Sequence, residues 1–136
     1  MGLSDKTMRS YLDILTGTLM IRQLQPWHEN IGKRQVKAPK IYFRDSGILH
    51  KLLSLPDYHS LLGHPRVGAS WEGFALEQTL QTIKPPQAFF WSTYSGAELD
   101  LFFLYKGHRY GMEFKFNEAQ AITKSLRIAR ETLKFE

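Results

Sequence analysis

The feature that most restricts this chain is a set of three alternating segments, 88–94, 97–105 and 108–116, separated by Ser95-Gly96 and Lys106-Gly107. Period-two alternation between glycine-containing turns is the pattern of an antiparallel meander. An even-numbered loop centred on Lys106-Gly107 places Asp100 opposite Glu113 and Glu98 opposite Lys115. Side chains alternate across a sheet, so Glu98, Asp100, Glu113 and Lys115 are expected on one face. Leu99, Leu101, Phe103, Met112, Phe114 and Phe116 are expected on the other. Directly opposed like charges destabilise a sheet, so Asp100 facing Glu113 calls for a cation. Two readings supply one. Either a divalent metal such as Mg²⁺ or Mn²⁺ binds, with Lys115 positioning water or stabilising an oxyanion, or the face is solvated and Lys115 pairs with Glu98.

The segment before the meander, 70–83, is expected to be a helix. Its apolar residues Ala75, Leu76, Leu80 and Ile83 form one arc of a helical wheel, with Glu72 in the middle of that arc. Glu72 is either a functional carboxylate or a helix-start acid favoured by the macrodipole. Glu77 falls well around the wheel and reads as a solvated residue.

The first half has a different character. Of 18 Lys and Arg against 13 Asp and Glu, residues 1–68 hold 10 against 5, so the whole +5 excess lies there. Ser4 suits an N-cap, and Met8, Tyr11, Leu12, Leu15 and Leu19 recur at helical spacing, which predicts an amphipathic helix ending at Gly17 with Lys6 and Arg9 outside. Strand-like stretches 19–24 and 40–44 flank a basic loop containing Lys33, Arg34 and Lys37, with Lys40 at its end. Helix, strand, basic loop, strand is the order of the last part of a winged helix, in which Lys and Arg neutralise nucleic-acid phosphate. A solvated basic loop has the same composition. Asp45 then caps a short helix that Pro56 stops.

A chain of 136 residues with 43% hydrophobic content holds one core plus an appendage. We divide it into a winged-helix-like segment at 1–56, a Pro- and Gly-marked linker at 57–68 and a second unit at 69–136. The absence of cysteine excludes disulfides, thiolate zinc sites and cysteine nucleophiles. No zinc spacing is found among the five histidines. The longest apolar run, 101–105, is far short of the roughly 20 residues of a membrane span, so a cytoplasmic chain without a membrane partner is expected.

Glu72 in a helix, then Asp100, then Glu113-Phe114-Lys115 resembles the PD-(D/E)xK nuclease superfamily. That resemblance implies an α+β (α/β) fold with a restriction-endonuclease-like αβββα core after a partial winged-helix-like α-β-β segment. It implies Mg²⁺ or Mn²⁺ on Asp100 and Glu113, with Lys115 positioning the attacking water and Glu72 as an accessory catalytic group. More closely, residues 11–15, 40–49, Trp71-Glu72-Gly73-Phe74, 96–100 and Glu113-Phe114-Lys115 resemble the domain of unknown function 4143, found C-terminal to predicted AAA-type ATPase modules. This implies DNA and an ATPase module in cis or trans as partners. The chain then reads as a nuclease-like, nucleic-acid-associated accessory domain, or alternatively as an inactive DNA- or protein-binding module. No Gly-x-x-x-x-Gly-Lys-[Ser/Thr] sequence occurs, so no ATPase activity is assigned. Leu99 stands where that family commonly has proline before the aspartate. Earlier winged-helix helices and a closing strand are expected to be missing, so the chain reads as part of a longer protein. The last expected helix carries Lys124, Arg127, Arg130 and Lys134 on its outer face.

Overall fold

A computed structural model describes residues 2, 4–28, 38–117 and 121–135. Helix α1 (Asp5–Gly17) begins where the Ser4 side chain accepts the Thr7 N–H, the capping expected from the sequence. Strands β1 (Ile21–Pro26) and β2 (Lys40–Phe43) pair antiparallel, and the short helices α2 (Ser46–Leu52) and α3 (Tyr58–Leu62) follow, capped by Asp45 and Asp57. Thus the expected linker contains α3, and helix α4 (Val67–Ile83) already starts within it. Strands β3 (Ala88–Ser92), β4 (Glu98–Tyr105) and β5 (His108–Met112) form the meander, and α5 (Lys124–Leu133) closes the chain, capped by Thr123.

All five strands belong to one sheet of order β2-β1-β3-β4-β5, antiparallel throughout except for a parallel β1–β3 contact. The class is mixed α+β, and the first-half hairpin extends the same sheet as the meander. That joining was not expected from the division into two units. Lys33, Arg34 and Lys37 lie outside the described residues.

Two apolar clusters cover opposite sheet faces. Leu24, Leu76, Leu80, Phe90, Leu101 and Phe103 pack on the α4 side, whereas Trp91, Leu99, Phe102, Ala129, Leu133 and Phe135 pack on the α5 side. The β4–β5 register is the one expected, with Leu101 opposite Met112 and Tyr105 opposite His108 across the positive-φ turn Lys106-Gly107. The expected face assignment fails at one place. Phe89 pairs with Phe102 but Trp91 pairs with Leu99, so Asp100 and Leu101 together oppose Phe90 in a β-bulge. The bulge reverses parity, sending Leu99 to the α5 side with Phe102 while Leu101 and Phe103 face α4.

Helix α1 buries no residue, and Met8, Tyr11 and Leu19 of the expected amphipathic pattern are more than half exposed. No helix among the described residues is long and apolar enough to cross a membrane.

Candidate functional site

At one end of β2, a single lysine gathers three carboxylates, two of them on β4. Lys40 opens β2, and its ammonium lies over the Phe90 ring, 5.5 Å from the centroid. The ammonium contacts Glu98 Oε1 and lies 3.5 Å from Glu72 Oε1 and 3.6 Å from Asp100 Oδ1. Tyr42, two residues along β2 and therefore on the same strand face, donates its hydroxyl to Glu72 Oε1 at 2.6 Å. Burial and the Glu72 carboxylate push Tyr42 far above the ordinary phenol range, so it remains a donor. Burial alone would lower Lys40, but its bond to Glu98 and the fields of Glu72 and Asp100 hold it above the usual lysine value.

Asp100 is the buried member, with 10% of its side chain exposed. The bulge turns it toward α4, and its Oδ2 accepts the Phe114 N–H at 2.9 Å. Burial raises its pKa; the Phe114 bond, Lys40 and Lys115 oppose this, Glu72 adds to it, and the net direction is upward. Glu113 lies next to this bond in sequence but turns elsewhere. Its Oε1 accepts from Lys115 at 2.9 Å, and its Oε2 accepts the hydroxyl of Thr123, the α5 cap. The bond to Glu113 raises Lys115 above the ordinary lysine value.

The structure therefore brings Glu72, Asp100 and Glu98 together around Lys40, with the Glu113–Lys115 pair on the adjoining segment. Glu98 pairs with Lys40, where the solvated-face alternative had Lys115. Lys40, expected to face phosphate, instead occupies the centre of the acid cluster. Lys6 and Arg9 are exposed on α1.

The residues do not fit a divalent metal in this arrangement. Mg²⁺ and Mn²⁺ require several free oxygens, yet both oxygens of Asp100 and both of Glu113 already have partners. Among the described residues no group of three His, Cys, Asp or Glu is placed to hold a metal ion. Lys40 supplies the cation for Glu72, Glu98 and Asp100, and Lys115 the one for Glu113.

A second charged site corrects the reading of Glu77 as solvated. It is 4% exposed and accepts from Arg22 and Arg44, each at 2.8 Å, and from Gln81. Burial would raise its pKa, but these donors hold it below the usual carboxylate range. Arg22 on β1 and Arg44 just after β2 thus tie the first-half hairpin to α4.

Sequence spacing signalled Glu72, Asp100, Glu113 and Lys115 but missed Tyr42, Thr123 and the central role of Lys40. The Lys40-x-Tyr42 spacing on one strand face was a signal. Using it required knowing that β2 lies on the acidic side of the meander.

Together these features define a mixed α+β domain with a lysine-centred acid cluster drawn from β2, α4 and β4. Residues 67–136 match the model of the domain of unknown function DUF4143, and the chain belongs to that family. Residues 1–59 match a further domain of unknown function, DUF8612. The chain is similar to uncharacterised proteins of Mycobacterium bovis and Mycobacterium tuberculosis, each 46% identical over 129 residues, covering 95% of this chain. It spans 29% of the length of these relatives. No solved structure matches.

Proposed function

We propose that this chain is a nucleic-acid-binding module that carries a nuclease-like acidic site neutralised by its own lysine and does not cut phosphodiesters. The observation that carries this reading is the Lys40 ammonium at the meeting point of Glu72, Glu98 and Asp100. The +5 net charge supports an anionic partner, as do Lys6 and Arg9 on α1 and Lys124, Arg127, Arg130 and Lys134 along α5, all exposed. Most of the mycobacterial relatives' length lies outside the matched part, leaving room there for the ATPase module we propose as partner in cis or trans.

A second reading, Mg²⁺- or Mn²⁺-dependent hydrolysis of DNA at Asp100 and Glu113, is favoured by one observation. Four carboxylates, Glu72, Glu98, Asp100 and Glu113, stand against two ammonium groups, and Asp100 stays above its ordinary pKa despite both. This reading requires Lys40 to leave the cluster. The two are separated by incubating the chain with single-stranded, duplex and branched DNA in Mg²⁺ or Mn²⁺, with anisotropy measured in parallel. The module reading expects salt-dependent binding without cleavage. Cleavage that disappears in Asp100→Asn would overturn it in favour of the second.

A further inference from the structure

We propose that the concavity formed by α2, α3 and α4 receives an unpaired nucleobase, so that the nucleic acid bound is single-stranded. The proposal rests on the nucleic-acid reading above and specifies the form of its ligand. Two cavities of about 320 and 170 Å³ share Ser46, Ser70 and Phe74. Trp71 and Phe116 line the smaller cavity and Phe74 lines both; the larger, lined from β2, α2 and α4, is at the low end of the range that holds small ligands.

The wall is aromatic and open. Trp71, Phe74 and Phe116 are 39%, 43% and 42% exposed, and Trp71 contacts both others, with ring centroids 5.8 Å from Phe74 and 6.3 Å from Phe116. Phe74 is tilted 37° and Phe116 62° to the Trp71 ring, so the exposed Trp71 face is the surface on which a base can stack, edged by the other two rings, and any base fits because every base has a π-face. Polar groups stand at the edges, where a base presents its donors and acceptors. Glu72 lines the larger cavity, and the His50 Nε2–Ser70 Oγ pair, 2.6 Å apart, lines the smaller.

Charge complementarity selects a nucleotide over a neutral apolar guest. Arg66 lines the larger cavity, and Lys115, half exposed, precedes Phe116. Arg66 is thus a cation at the cavity available to a backbone phosphate, and Lys115, held by Glu113 at 2.9 Å, is a second one next to Phe116 in the chain.

The test is fluorescence anisotropy with a labelled oligonucleotide, as single strand and as duplex, at one fixed salt concentration. The parent chain is compared with Trp71→Ala, Phe116→Ala and Trp71→Phe. The expected result is tighter binding of the single strand, weakened roughly tenfold by Trp71→Ala or Phe116→Ala. Trp71→Phe keeps a ring and most of the affinity, while the share of the oligonucleotide's quenching that comes from Trp71, one of three tryptophans, is lost. That arm stays informative if an alanine variant fails to fold. Equal affinity for both forms, or quenching undiminished in Trp71→Phe, would overturn the stacking site alone. Binding of neither form would overturn it together with the reading on which it rests.

Discussion

Replacing Lys40 by methionine isolates the charge at the centre of the acid cluster. Methionine keeps an unbranched stem of similar length and loses the ammonium, together with its contact over the Phe90 ring. Its carboxylate partners differ in access to water. Glu98 is 46% exposed and rehydrates, Glu72 is 27% exposed and keeps the Tyr42 hydroxyl, and Asp100 at 10% retains only the Phe114 N–H. Breaking a fully buried pair costs about 3–5 kcal/mol, and an exposed one about 0–1. For this mixed set we expect about 2–3 kcal/mol at pH 7, a fall of roughly 1–2 M in urea midpoint at unchanged m-value. The loss depends on pH with a definite sign. Asp100 has a raised folded pKa, which removing Lys40 raises further, so the folded state takes up a proton more readily than the unfolded one. Stability then falls as pH rises through that window, and the penalty of Lys40→Met shrinks as pH drops toward about 4. Lys40 itself, raised above its ordinary value, stabilises the fold below that value and loses its contribution as pH rises through the raised one. Adding Asp100→Asn should recover much of the loss, with a coupling of about 1–3 kcal/mol in the double-mutant cycle. A loss below about 0.5 kcal/mol at pH 7, or one equal at pH 7 and pH 4, would refute the assignment of Lys40 as counter-charge.

Two further expectations concern the scaffold. Glu77→Gln leaves Arg22 and Arg44 without their shared counter-charge and should cost about 3–5 kcal/mol, read as a large fall in Tm. Because the folded pKa of Glu77 is depressed, its stabilisation is present above the ordinary glutamate value and is lost as pH falls through the lower folded value. A loss under about 1 kcal/mol would show that the hairpin docks on α4 without this pair. Gly111→Ala would put a methyl 2.6 Å from the Phe135 ring and should cost about 1–3 kcal/mol by overpacking, partly recovered by Phe135→Leu; chemical denaturation of the two variants decides it.

The parts legible in the sequence are those governed by local rules. The Ser4 and Asp45 caps and the register across Lys106-Gly107 each follow from a few adjacent residues and appear where expected. What was hidden depends on partners distant in the chain. Glu77 reads as polar surface because its guanidinium partners lie 55 and 33 residues away, and this buried acid also blurs the apolar stripe of α4. The bulge at Asp100-Leu101 leaves no mark in the alternation, yet it separates Leu99 from Leu101 and turns Asp100 toward Lys40. Lys40 itself sits at the end of a basic run, where composition points outward to phosphate. The order β2-β1-β3-β4, unmarked by any local signal, puts its strand in the same sheet as β4, and its side chain reaches Glu98 and Asp100.

Titration with Mn²⁺, followed by electron paramagnetic resonance, tests the central claim most directly, because Lys40 and a divalent ion compete for the same carboxylates. The account expects no stoichiometric binding by the parent chain and the appearance of one site in Lys40→Ala, where the acids lose their internal cation. One ion bound tightly by the parent chain, and lost in both Asp100→Asn and Glu113→Gln, would contradict it.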